Sequence, residues 1–286
     1  MIIGKIKETT EEITIKTVKN CPDSYDATER VLLIDSDSIT YYATYFPEDS
    51  LIFFPDEDAQ IEEAKFRVQN KIQEIQNNVE EYFNIKQTLL FVGGRNNFRY
   101  KIFSDYKANR KKAIKSPLLP IIKEYMVTEL GAIESHNGEA DDYLTEAAMI
   151  SQNKCIISAI DKDIIAYNPN IPIYDYRSYN DVLGEFKYIT EKESRLARVT
   201  QLISGDASDG VPGAKNMGKA YCEKNLHQDM SNYQFIKAVY IAYLKANKND
   251  SIEAKRQIRM YYLVLKLHTQ EDINKILKKY DSNTIE

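Results

Sequence analysis

The chain has 286 residues, 43% of them hydrophobic and 28% charged, enough apolar content for one large or two small folded domains. Its 38 basic and 43 acidic residues, net −5, exclude a uniformly basic nucleic-acid coat, and no apolar run approaches the roughly 18 residues of a membrane span. Three scattered cysteines (Cys21, Cys155, Cys222) argue against a disulfide framework or a structural zinc site, so the expected setting is a reducing cytoplasm, away from membranes.

Residues 1–30 are polar and charged and read as an appendage, either a short hairpin around Ile13 and Ile15 or a partly disordered tail. Val31-Leu-Leu-Ile34 is a brief apolar run of the buried-strand kind, ended by Asp35. Pro55-Asp56 opens a helix whose Ile61, Val68, Ile72, Ile75, Val79 and Tyr82 recur at helical spacing. Thr88-Leu-Leu-Phe-Val92 is a second buried strand, stopped by Gly93-Gly94. A basic segment follows, holding Arg95, Arg99, Lys101, Lys107, Arg110, Lys111, Lys112 and Lys115 against a single acid, Asp105. A helix runs from about Leu118 to Leu130, with Gly131 past its end, and another from about Gly138 to Gln152. Cys155-Ile-Ile-Ser-Ala-Ile160 is a third buried strand. Strand and helix alternating at these lengths predict a parallel sheet with helices on its faces. A Tyr-rich hairpin is expected between Tyr174 and Tyr188, and Thr190-Glu-Lys-Glu193 is a capping box that opens a helical C-terminal region. The expected division is therefore 1–30, 31–189 and 190–286.

The acidic residues gather where such a fold carries its chemistry. Asp35, Asp161 and Asp163 each follow the carboxyl end of a buried strand, the edge at which open parallel sheets hold ligands. Glu139, Asp141 and Asp142 sit at a helix start, and Asp206 and Asp209 in a glycine-flanked loop. One Asp after a strand is most often a cap, and three acids at a helix start are often only dipole charge. Four such groups in one chain favour a site. Massed carboxylates need compensating cations, and oxygen ligands without His or Cys point to Mg²⁺ or Mn²⁺. A basic segment beside them points to a phosphate polymer.

Leu33-Ile-Asp35, Tyr106-Lys-Ala-Asn-Arg110, Gly138-Glu-Ala-Asp-Asp142, Ser158-Ala-Ile-Asp-Lys-Asp163 and Gly205-Asp-Ala-Ser-Asp-Gly-Val-Pro-Gly213 resemble, in order and spacing, the flap endonuclease/5′→3′ exonuclease family. The likeness is to its bacteriophage members and to the 5′-nuclease domain of bacterial DNA polymerase I, over about residues 31–268. It implies an α/β fold, a PIN-like domain with a central parallel sheet flanked by helices, plus a helix–three-turn–helix DNA-binding module. It implies two divalent ions, one near Asp35, Glu139, Asp141 and Asp142, the other near Asp161, Asp163, Asp206 and Asp209. Lys107 and Arg110 would neutralise the scissile phosphate, and Tyr106 would stack on a terminal base. Arg99, Lys111, Lys112 and Lys115, with Gly213, Lys215, Asn216, Gly218 and Lys219 of the second module, would hold DNA, with K⁺ on main-chain carbonyls of that loop. The implied protein is a monomer acting on DNA with 5′ flaps or ends, and on RNA–DNA hybrid at primers.

The chain departs from the pattern in three places. Val92 stands where the family carries a metal-binding Asp at its second strand end, which opens the alternative of a degenerate nuclease that mainly binds branched DNA. Asn216-Met-Gly-Lys219 replaces a Gly-Ile-Gly turn, where Asn tolerates the left-handed backbone that glycine supplies. The segment from Arg110 to Leu118 is short, so any arch over the site is small.

Overall fold

The computed structural model describes residues 17–48, 53–54, 56–112, 115–152, 154–178 and 182–282. The strands are β1 (Thr17–Lys19), β2 (Asp26–Asp35), β3 (Phe83–Val92), β4 (Ile133–Glu134), β5 (Cys155–Ser158), β6 (Ile173–Asp175) and β7 (Val182–Lys187). Their spatial order is β1-β7-β6-β5-β2-β3-β4, parallel except for the antiparallel β6–β7 pair in the Tyr-rich stretch. The helices of the sheet domain are α1 (Asp37–Ala43), α2 (Glu57–Glu80), α3 (Arg99–Ile102), α4 (Leu119–Thr128), α5 (Ala140–Ile150) and α6 (Lys162–Tyr167). The C-terminal helices are α7 (Glu191–Ser204), α8 (Lys219–Asn225), α9 (Asn232–Ala246), α10 (Ser251–Leu265) and α11 (Gln270–Ser282).

Alternation along β2 and β3 builds two cores, because successive strand residues point to opposite faces. Leu32, Ile34, Leu90 and Val92 pack with Val68, Ile75 and Val79 of α2 and with Ile122 and Met126 of α4. Leu33 and Phe91 pack on the other face with Leu144 and Ala148 of α5 and Ile164 of α6. A third core joins the C-terminal helices through Ile203, Phe235, Val239, Tyr243, Tyr261 and Val264. The segment expected as an appendage enters the sheet from Thr17 onward: β1 pairs with β7, and β2 begins at Asp26. Its polar DATER stretch is the outer end of β2, which pairs there with β3 alone and leaves its side chains largely in water. The expected hairpin at Ile13 and Ile15 lies outside the described residues.

The order places the site. From β2 the chain moves one way to β3 and β4, then returns to lay β5 on the other side of β2. A crevice opens at such a reversal, beyond the carboxyl ends of the two central strands. Asp35 ends β2 and Asp161 follows β5.

Candidate active site

Asp35 is 4% exposed, and its carboxylate accepts from the Asp37 amide (3.2 Å) and the Ser38 hydroxyl (3.1 Å). Burial, then the charge of Asp37, push its pKa up to about 7, with Asp161 adding to the rise. Asp161 caps α6 by accepting from the Asp163 amide at 2.7 Å. Asp141, in the first turn of α5, is driven well above the carboxylate range by burial and by the charges of Asp35, Glu139 and Asp161. These carboxylates line one cavity of about 400 Å³ together with Asp37, Lys107, Arg110 and Lys123.

Asp163, Asp206 and Asp209 come closer still: one oxygen from each lies within 4.8 Å of the other two. The backbone after α7 makes this possible. Gly205 turns out of the helix at φ +80°, and Asp206 and Val211 then exchange N–H···O bonds of 2.7 and 2.8 Å. The loop doubles back so tightly that a Cβ on Gly213 (φ +66°) would sit 2.3 Å from the Gly205 nitrogen. Asp206 accepts from Lys162 Nζ (2.6 Å) and from Gln201 Nε2 (2.9 Å), which also donates to Asp163 (2.8 Å). Burial opposes ionisation of Asp206, but the bonds from Lys162, Ser208 and Gln201 outweigh it and hold the group well below the usual range. Burial and Asp161 push Asp163 up to about 7, and burial followed by the charge of Glu139 raises Asp209. Three clustered oxygen donors with opposed pKa shifts are a set of hard ligands carrying excess negative charge, a fit for a divalent cation.

The basic segment crosses both groups. The Lys107 amide donates to the Asp209 carbonyl at 2.8 Å, with Lys107 itself in the left-handed region at φ +52°. Lys107 Nζ pairs with the Glu139 carboxylate and lies 3.8 Å from Asp209. Arg110 donates to the Ser208 carbonyl (3.1 Å) and to Asp209 (3.0 Å), its side chain half exposed.

Four residues expected to touch DNA or metal have other work. Arg99 is 1% exposed and forks onto Asp142 with bonds of 2.7 and 2.8 Å, donating also to the carbonyls of Val264 and Lys266. It cannot reach DNA, and it occupies the carboxylate of Asp142, which is therefore a structural partner and not a cation ligand. Tyr106 is 1% exposed within the helical core, its hydroxyl 3.0 Å from both Glu139 and Asp209, so no base can stack on it. Gly213 is buried against Gly205 and serves the loop's fold. Lys115, Lys215, Asn216, Gly218 and Lys219 are exposed, and Asn216 takes the left-handed backbone (φ +63°). The side chains of Lys111 and Lys112 lie outside those described. Glu139 lines the cavity but is bound by Lys107, by Tyr106 and by Asn97 Nδ2 at 2.9 Å.

Comparison with known proteins places the chain in a family. The family described as 5′-3′ exonuclease, N-terminal resolvase-like domain, matches residues 30–194, more than half of the chain. The chain belongs to that family. It is accordingly a nuclease, a hydrolase of phosphodiesters. A 5′-3′ exonuclease of Buchnera aphidicola subsp. Schizaphis graminum is 25% identical over 260 residues, covering 85% of this chain and 86% of the relative. DNA polymerase I of Lactococcus lactis subsp. lactis is 28% identical over 207 residues, which are 67% of this chain and 23% of that longer protein. Among solved structures, the D15 flap endonuclease of bacteriophage T5, complexed with DNA and metal ions, shares the fold at a TM-score of 0.59 and 13% identity. It covers 88% of this chain and 98% of its own. The degenerate, binding-only alternative is not favoured by this company.

Several residues that line this crevice or hold its carboxylates went unread in the sequence. Asp37 repeats after β2 the Asp-x-Asp spacing of Asp161 and Asp163 after β5, a signal that was available. Lys162 and Gln201, which hold Asp206, carried no such signal, since a lysine between two acids reads as a solvated charge.

Proposed function

We propose that the protein is a structure-specific 5′ nuclease, removing 5′ flaps and 5′ ends from duplex DNA, and RNA from primers, with two Mg²⁺ or Mn²⁺ ions. The observation that carries this is the trio of Asp163, Asp206 and Asp209 set beside Asp35, Asp141 and Asp161 in the crevice, with Lys107 and Arg110 over both. Bound divalent ions would polarise the attacking water and take up charge on the leaving oxygen. Asp163, Asp206 and Asp209 would hold one, and Asp35, Asp141 and Asp161 the other. Lys107 and Arg110 bring two positive charges to the scissile phosphate, fixed in place by Glu139, Asp209 and the Ser208 carbonyl before substrate arrives.

The strand path is supported by a second cavity of about 750 Å³ beside the first, lined by Tyr41, Tyr100, Lys107, Arg110, Lys115 and Lys123. Tyr100 is 48% exposed and edge-on to buried Tyr106, at 5.6 Å between ring centres. It offers the stacking face that Tyr106 lacks. Exposed Lys215, Asn216 and Lys219 supply backbone contacts to the duplex, with K⁺ on carbonyls of the same loop. The working form is a monomer in the cytoplasm.

Cleavage of a 5′-labelled flap duplex tests the reading, with Mg²⁺, with Mn²⁺ and with chelator, beside a 3′-flap duplex of the same sequence. Short labelled products from the 5′ flap, absent with chelator and from the 3′ flap, are expected. Intact 5′ flaps with both cations would refute it.

A further inference from the structure

The first half of the crevice has a gap and a residue that fills it. Val92, at the end of β3, is 1% exposed in the apolar core, so this strand end sends no carboxylate into the site. The next residue, Gly93, lines the cavity without a side chain. A Cβ there would stand 2.6 Å from Asp37 Oδ2, so the Asp37 carboxylate lies in the space that any other residue at 93 would take. It is held in that cradle from two directions. Oδ1 accepts from the Gly93 amide (3.0 Å) and is ion-paired with Lys123 Nζ (2.6 Å), and Lys123 in turn donates to the Gly93 carbonyl at 2.9 Å. Both contacts use Oδ1, and Oδ2 has no hydrogen-bond partner among the described residues. The side chain is 41% exposed and borders the same cavity as Asp35, Asp141 and Asp161.

We infer that Asp37 is a metal-ligating residue of the subsite between the ends of β2 and β3, giving through Oδ2 the carboxylate that β3 does not supply. This rests on the reading that the crevice holds divalent cations. The geometry allows a cation ligand and a positioning bond on separate oxygens of one carboxylate, an arrangement that orients a ligand without consuming it. Lys123 then serves as the fixed counter-charge that keeps Asp37 over Gly93 beside the charge of Asp35.

Mn²⁺ titration of the full chain, followed by electron paramagnetic resonance and calorimetry, tests this in the wild type, Asp37→Asn and Asp163→Asn. Asp37 is partly exposed and forms no part of a core, so Asp37→Asn keeps its circular dichroism spectrum. The inference expects Asp37→Asn to lose one bound Mn²⁺, or to bind it about tenfold or more weakly, while the ion held by the Asp163 group is retained. Asp37→Asn titrating like the wild type while Asp163→Asn loses an ion would overturn the inference and leave the proposed function standing. A wild type that binds no Mn²⁺ at all would overturn both.

Discussion

Asp35 and Asp163 hold their protons to about pH 7, both chiefly through burial, against an ordinary value of 3.8. In the metal-free protein the folded state therefore binds protons that the unfolded chain has already released. The stability these two groups contribute is full at low pH and is lost as pH rises through about 7. His268, held below its usual 6.5 by burial, acts in the opposite sense beneath that pH. The informative window is thus roughly pH 6.5 to 8. Thermal melts in chelator should fall across it, and the rise in Tm on adding Mn²⁺ should be larger at the alkaline end, because cations bind the ionised carboxylates. A Tm that climbs with pH in chelator, or a Mn²⁺ shift that shrinks, would contradict the roles given to these residues. At this scale the sequence told residue chemistry better than residue direction. It marked eight carboxylates, and seven line the crevice or form its trio. It could not tell that Tyr106 and Arg99 turn inward, since a tyrosine and an arginine in a basic run read equally well as solvent-facing.

Between elements, the pair of Arg99 and Asp142 ties α3 to α5 and fastens both to the last turn of α10 and the segment that follows it. Arg99 reaches the carbonyls of Val264 and Lys266, and Asp142 accepts from the His268 amide at 2.8 Å. The pair is fully buried, so removing one charge strands the other, at a cost of about 3–5 kcal/mol. Asp142→Asn should lower Tm by about 10 °C, as expected for a chain of this size, while leaving the number of bound Mn²⁺ ions unchanged. An unaltered melt with one ion lost would instead make Asp142 a ligand. Helix limits were legible because their caps are local: Thr190 and Glu193 form the expected box, and Gly131 follows α4 with φ +68°. The partners of Arg99 were not, because they lie 43 and 165 residues away in sequence. The polar beginning of β2 was hidden for a different reason: it runs past the end of β5 with its side chains in water, and a strand shows the apolar pattern only where it meets a core.

Across the whole molecule, one reversal of strand order brings together groups from β2, β5, α5 and the loop after α7. The parallel sheet was legible from three apolar runs, but the meeting of Asp163 with Asp206 and Asp209 depends on how the helical module seats against the sheet. That seating runs through the bond from the Lys107 amide to the Asp209 carbonyl. The central claim is that this meeting makes the nuclease. Its most direct test is the single-turnover cleavage rate of a 5′-flap duplex by Asp209→Asn at saturating Mg²⁺, with folding checked by thermal melt. A folded variant slowed by about a hundredfold or more is the predicted result. A folded variant that cuts within about threefold of the wild type, well short of the tenfold that 1.4 kcal/mol would produce, would contradict the account.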